Sequence, residues 1–346
     1  MRRVFVTLLA MAAAGLIFAS TVIGLGLYNV SAKAGHLPGV SWLLHTTFRN
    51  SVRLRAPPEE ATPDLSDPAL IALGAGHYAT ACTPCHARPG GERTATMRAM
   101  VPEPPPIDEA VARWQPNHLH WIVQNGIKMS GMPGWPAVGR EDEVWAVVAY
   151  LEAVRQRNAP GLRPTARPEH PAPAGAAYCR TCHGPIGRHV PRLDLQSAEY
   201  LKRALLAYRR GERPSGIMQQ ATTRVSPEIL GELADYFSGR APQGGHQPGA
   251  APTELVDAGK ILATDGTRDV PACVACHGPG ARSPAITPRL AGQDRAFLET
   301  QLRLWRDGLR QGSEKMSAAA RALSDDDIAR LAAWYATLAL QSETGE

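Results

Sequence analysis

All six cysteines of this 346-residue chain fall in one pattern, used three times. Cys82-Thr-Pro-Cys85-His86, Cys179-Arg-Thr-Cys182-His183 and Cys273-Val-Ala-Cys276-His277 are copies of C-x-x-C-H. Two thiols separated by two residues can each add to a vinyl group of one porphyrin, and the adjacent histidine then lies beneath the iron. The pattern predicts three covalently attached haem c groups. Cys82, Cys85, Cys179, Cys182, Cys273 and Cys276 would be the attachment points, and His86, His183 and His277 the proximal iron ligands. Other chemistries also use cysteine pairs. Zinc usually needs a second pair or two histidines nearby. A dithiol redox pair needs neither the histidine nor the repetition, and disulfides suit an exported chain. None of these explains spacing, histidine and threefold use together.

Helices must hold such turns in place. After the second motif come "PRL" (191–193), "AEYLKRALLAYRRGER", Met218 and "SPEILGELADYF". After the third come "PRL" (288–290), "RAFLETQLRLWRDGLR", Met316 and "SDDDIARLAAWY". The offset is 97 residues at Pro191/Pro288 and Tyr200/Phe297, and 98 at Met218/Met316 and Tyr236/Trp334, an internal repeat. Ser226-Pro227 reads as an N-cap with proline at the first helical position. Ser324 with Asp327 reads as a capping box. The segment 141–154 places acids in its first turn, where the helix dipole favours them. A helix precedes the motif in the first module ("LIALGAGHYATA") and in the third ("ELVDAGKILATDG"). Only "PAPAGAAY" precedes Cys179, so the second module is either truncated or borrows packing from a neighbour. Two Pro/Gly/Ala-rich stretches without apolar periodicity separate the modules as linkers.

A helix, the C-x-x-C-H turn, a loop, a middle helix, a methionine loop and a closing helix with paired aromatics together resemble the class I c-type cytochrome domain. Modules two and three resemble the halves of soluble two-haem class I cytochromes, and module one resembles a single-haem domain with a Gly-Met-Pro loop. The resemblance implies small helical folds, low-spin haem c and electron transfer. The fold expected is all-α, an N-terminal transmembrane helix followed by three tandem class I cytochrome c domains. The expected divisions are 1–30 anchor, 31–65 juxtamembrane segment, 66–157 first domain, 158–174 Pro-rich linker, 175–240 second domain, 241–252 linker and 253–340 third domain. The family also suggests that the carbonyls of Pro191 and Pro288 orient the proximal histidines, and that Arg192 and Arg289 meet haem propionates.

Methionine is the expected ligand on the opposite face, which raises the potential and closes the iron to substrates. Met218 and Met316 are the only methionines of their modules. The first module offers Met97, Met100, Met129 and Met132. The interval Met218–Tyr236 is 18 residues, as is Met316–Trp334; Met132–Tyr150 is also 18, whereas Met129–Tyr150 is 21. Three residues is most of a helical turn. Pro133 also stiffens the loop beside Met132. Met132, Met218 and Met316 are therefore the expected distal ligands, with Met129 the competing choice. Met97 and Met100 are read as core filling. His118 or His120 would make a bis-histidine site, but "PNHLHWIV" reads as the middle helix.

Formal net charge is +5, yet residues 1–58 hold six basic residues and no acid, so the excess lies in the N-terminal arm. That distribution excludes a nucleic-acid reading, which needs a basic face on a folded domain. Val4–Tyr28 is an uncharged run of 25 residues, longer than a signal core of about 7–15 and sufficient to span a bilayer. Arg2 and Arg3 favour a cytoplasmic N-terminus. The expectation is a single-pass inner-membrane anchor with the remaining chain in the periplasm; Val30-Ser31-Ala32 leaves a cleaved signal open. In "SWLLHTTFRNSVRLR" (41–55), Leu44, Phe48 and Val52 share a face, for a helix lying on the membrane or packed on the first domain.

No nucleophile–base pair, phosphate loop or separate metal site is present. The sequence predicts an electron carrier, not an enzyme; a peroxidase would need an iron without its distal ligand. Expected partners are redox proteins: a periplasmic dehydrogenase, whose cytochrome subunit this chain could be, a quinol-oxidising complex or a terminal oxidase.

Overall fold

A computed structural model describes residues 1–128, 130–161, 172–184, 186–240, 251–278 and 285–338. Every regular element among them is helical. Most of both expected linkers, and Met129, lie outside the described residues.

Helix α1 (Arg2–Gly24) has a mean hydropathy of 2.2 across its most apolar 18 residues and buries none of them against the protein. It is long and apolar enough to cross a membrane. Helix α2 (Val40–Arg55) turns one face onto the first module. Val52 is fully buried there, and the Phe48 ring meets Trp114 edge-on with centroids 5.5 Å apart. Leu44, expected on the same face, stays exposed, as do Trp42, Leu43 and Leu54.

The first module is built on α3 (Pro68–Ala81), α4 (Pro116–Asn125) and α5 (Glu141–Arg155). Asp67 starts α3 by accepting from the Ala69 amide, with Pro68 at the first position. Gly74 lets α3 lie directly on α5, because a Cβ there would sit 1.9 Å from the Ala146 carbonyl oxygen. Tyr78, Leu119, Val147 and Tyr150 fill the core beneath this crossing. Apolar residues surround α3 on every side, which suits a helix covered on both faces.

Among the described residues, the second module has no helix equivalent to α3. A single turn, Ala176–Cys179, runs into its motif. It then follows α6 (Ala198–Arg209), α7 (Gly216–Thr222) and α8 (Pro227–Ser238), around Leu201, Leu230, Leu233 and Phe237. Ser226 sits at the N-cap of α8 without a side-chain cap bond. The third module restores the leading helix as α9 (Thr253–Asp265), followed by α10 (Arg295–Arg306), α11 (Glu314–Ala320) and α12 (Asp325–Thr337). Gly259 makes the α9–α12 crossing as Gly74 makes the first. The Ser324/Asp327 capping box forms at α12.

Candidate haem-binding sites

Each C-x-x-C-H copy folds as one helical turn. The histidine amide donates to the carbonyl of the first cysteine at 3.0 Å (His86 to Cys82), 3.0 Å (His183 to Cys179) and 2.9 Å (His277 to Cys273). Residues i, i+3 and i+4 thereby share a side. No disulfide joins any of the six cysteines. Burial pushes Cys82 up to about 12, and Cys179 and Cys182 to about 11. These values suit buried thiols and oppose a thiolate redox pair, which needs the pKa lowered.

The three histidines share a second contact. Each Nδ1 lies against a proline carbonyl: His86 with Pro105 at 2.9 Å, His183 with Pro191 at 3.0 Å and His277 with Pro288 at 3.0 Å. A carbonyl only accepts, so Nδ1 carries the proton and Nε2 presents its lone pair. Burial outweighs this bond and lowers the pKa of His183 and His277, favouring the neutral ring that binds iron. The carbonyls of Pro191 and Pro288 were the ones the family resemblance suggested. Pro105 was missed, because it lies 19 residues after its histidine instead of 8 or 11.

A serine hydroxyl just upstream holds each methionine's backbone. The amides of Met132, Met218 and Met316 donate to Ser130, Ser215 and Ser313 at 3.1, 3.1 and 3.3 Å. The recurring Ser-x-Met and Ser-x-x-Met spacing was an available signal that the aromatic intervals overshadowed. Met97, on the one-turn helix Ala95–Arg98, and Met100 just after it are half-buried and are not core residues as expected. His120 stacks on Trp145 with centroids 4.1 Å apart, and His118 meets Trp114 edge-on, so both pack within the middle helix.

One continuous cavity of about 1350 Å³ joins the second and third modules. Its walls include the motif residues of both, together with Met218 and Met316. It exceeds the roughly 300–1,000 Å³ of a single small-molecule pocket. Between the halves, Arg213 donates to Tyr200 Oη and Gln301 Oε1 at 3.1 and 3.0 Å, and Arg310 to the same two atoms at 3.4 and 2.6 Å. Arg213 also covers the Tyr208 ring and Arg310 the Trp305 ring. Burial opposes ionisation of Tyr200, but the two guanidinium groups outweigh it and bring the phenol down to about 8. One buried and one half-buried cation with neutral partners call for anions, and haem carboxylates are anions of that kind. The donor set therefore fits haem. Arg192, expected in this role, is tied to Asp194 at 2.5 Å, and its backbone to Gln293.

Two glutamines close the same interface. Gln196 donates to the Arg289 carbonyl at 2.7 Å and accepts from its amide at 3.0 Å. Gln293 does the same with Arg192 at 2.7 and 3.0 Å. Gln196 and Gln293 are 97 residues apart, the offset of the repeat, so a local two-fold relates the halves.

Residues 69–151 and 267–334 match the family described as cytochrome c oxidase, cbb3-type, subunit III. The chain is 33% identical over 222 residues to a thiosulfate dehydrogenase electron acceptor of Stutzerimonas stutzeri, covering 61% of this chain and 98% of that protein. It is 32% identical to cytochrome c4 of Azotobacter vinelandii, over 46% of this chain and 83% of the relative. Among solved structures, reduced cytochrome c4 from Pseudomonas stutzeri superposes with a TM-score of 0.43 at 28% identity, covering 48% and 97% of the two chains. The chain belongs to the class I c-type cytochrome family. It is an electron-transfer cytochrome related to cytochrome c4 and to the electron acceptors of thiosulfate dehydrogenase.

Proposed function

We propose that the chain carries three covalent haem c groups on domains 66–157, 175–240 and 253–340, each with His/Met ligation. The pairs are His86 with Met132, His183 with Met218 and His277 with Met316. We further propose that α1 is a retained anchor holding these domains at the periplasmic face of the inner membrane. The observation that carries the reading is the threefold recurrence of a C-x-x-C-H turn whose histidine Nδ1 is taken by a proline carbonyl. Haem c, when attached, supplies a one-electron iron couple. The prolines fix the orientation of each imidazole, and the serine-anchored methionine arms shut the opposite face against small substrates. Arg213 and Arg310 neutralise carboxylate charge at the interface of the second and third domains.

Haem content per chain tests this directly. Three haems, all low-spin, are expected, and each of His86→Ala, His183→Ala and His277→Ala should disturb one. Two haems per chain, or a five-coordinate resting iron, would overturn it.

The donor favoured is a periplasmic dehydrogenase, since a relative matched over 98% of its length is named an electron acceptor of thiosulfate dehydrogenase. The chain then passes electrons to a terminal oxidase or another acceptor, as a carrier or as a dehydrogenase's cytochrome subunit. Purification from native membranes should recover a dehydrogenase with it, and thiosulfate plus that enzyme should reduce its haems. Reduction only by a quinol-oxidising complex would reverse the assignment of the donor.

A further inference from the structure

The second module is completed by the first. Helix α3, which crosses α5 on one side, lays its other side on the second motif. A Cβ at Gly76 would meet Cys182 Sγ at 3.0 Å, and Thr80 Oγ1 lies 3.3 Å from Tyr178 Oη. Leu73 and Ala146 of the first module are buried against Val190 of the second, with Ile186 and Ile217 packed around them. α3 thus packs on the second module, which has no leading helix of its own among the described residues.

A carboxylate reaches further across. Glu143 on α5 is buried. It accepts from the Ser215 hydroxyl, from the Gly216 amide at 2.7 Å and from the Ile217 amide at 3.3 Å. Arg140 pairs with it at 2.8 Å and donates to the Pro214 carbonyl at 2.6 Å. Trp135 closes the contact: a Cβ on Gly216 would sit 2.4 Å from its indole nitrogen. Ser215 is also the residue whose hydroxyl accepts from the Met218 amide. The equivalent Ser313, before Met316, is exposed to solvent. The second methionine arm is therefore seated in another module, and the third is not.

We propose that Glu143 is a positioning residue for the second haem, holding the Ser215–Met218 arm so that the methionine sulfur stays on the iron opposite His183. This rests on the assignment of Met218 as the distal ligand. Residues 214–217 are fastened at four backbone or hydroxyl positions from the first module, and a loop so held has little freedom to carry its side chain off axis. The first and second modules then act as one unit whose ligation is set across their interface. The third ligates independently.

The experiment uses full-length holoprotein with Glu143→Ala, Glu143→Gln and, as a control on the exposed side of the same turn, Glu141→Gln. Met218→Ala is the reference. Methionine–iron charge-transfer absorption of the oxidised protein and a potentiometric titration are the readouts, with haem content measured on every sample. Met218→Ala should remove one of the three sulfur signals and move one redox wave to lower potential. Glu143→Ala should do the same with three haems still attached; Glu143→Gln should keep the signal but shift that wave; Glu141→Gln should match the parent. Three unchanged waves in Glu143→Ala beside a displaced wave in Met218→Ala would overturn the proposal while leaving the ligand assignment intact. An unchanged Met218→Ala would overturn the ligand assignment itself, and this proposal with it. Should Glu143→Ala lose a haem, the Glu143→Gln titration decides, and an unshifted wave there overturns the proposal.

Discussion

Alanine at Gly259 would put a methyl group where the α9–α12 crossing has no room for one. The added Cβ would lie 2.0 Å from the Arg330 carbonyl oxygen, 2.6 Å from its carbon and 3.0 Å from Trp334 Cβ. Ordinary contact begins near 3.4 Å, so the helices must separate by more than 1 Å on the order of magnitude of that shortfall. A gap of 0.5–1 Å already forfeits about a quarter to a half of each dispersion contact. Leu262, Ile328 and Leu331 make theirs across this crossing. Overpacking a core costs about 1–3 kcal/mol, and a clash with rigid backbone belongs at the upper end. Alanine returns roughly 1 kcal/mol of helix propensity. The net loss expected is about 2 kcal/mol. Gly231→Ala on α8 isolates the propensity term, since the nearest atom to its Cβ is Lys202 Cε at 3.9 Å; it should gain up to ~1 kcal/mol. For modules of this size the two variants should part by more than about 10 °C in the melting of the altered module. Calorimetry of the holoprotein measures this. A Gly259→Ala protein as stable as its parent would refute the reasoning, because the close approach would then carry no cost.

Further outcomes can be checked on the same protein. Met132→Ala and Met316→Ala should each remove one sulfur–iron signal and lower one redox wave, whereas Met129→Leu should leave all waves in place, as potentiometry with optical detection would record. Burial holds the His77 imidazole at about 4, against 6.5 for the free side chain. The unfolded chain therefore takes up a proton that the folded one refuses between those values, and stability falls as pH drops from 6.5 towards 4. Moving from pH 7 to pH 5 should cost about 2 kcal/mol through this group, and His77→Phe should flatten that part of the urea-unfolding profile. Gln293→Ala leaves the Arg192 amide and carbonyl without their partner. It should destabilise the joined second and third modules by about 1–3 kcal/mol in denaturant titrations.

The features legible in the chain are those whose partners are near in sequence. The motif turns, the Ser324/Asp327 box and the middle helix depend on backbone bonds and contacts within about four residues, so spacing alone shows them. The repeat made Met218 and Met316 readable because two modules of one ancestry keep a common interval, while the role of Pro191 and Pro288 came from the family resemblance. The first module has a different loop length, which hid Pro105. Ser226 shows the converse limit: a good capping residue stands at its position without making the cap bond. The leading segment of α3 carried a usable hint, apolar residues on all sides, yet its second contact is with residues more than a hundred positions away. Tertiary structure alone decided that the second module leans on the first, that Glu143 grips residues 72 to 74 positions further on, and that Arg213 and Arg310 meet over Tyr200 and Gln301 in the shared cavity. The physical reason is that a long-range partner has no period. Local bonds repeat every turn and leave a pattern in the sequence, whereas a side chain meeting another module is set by how two finished surfaces fit.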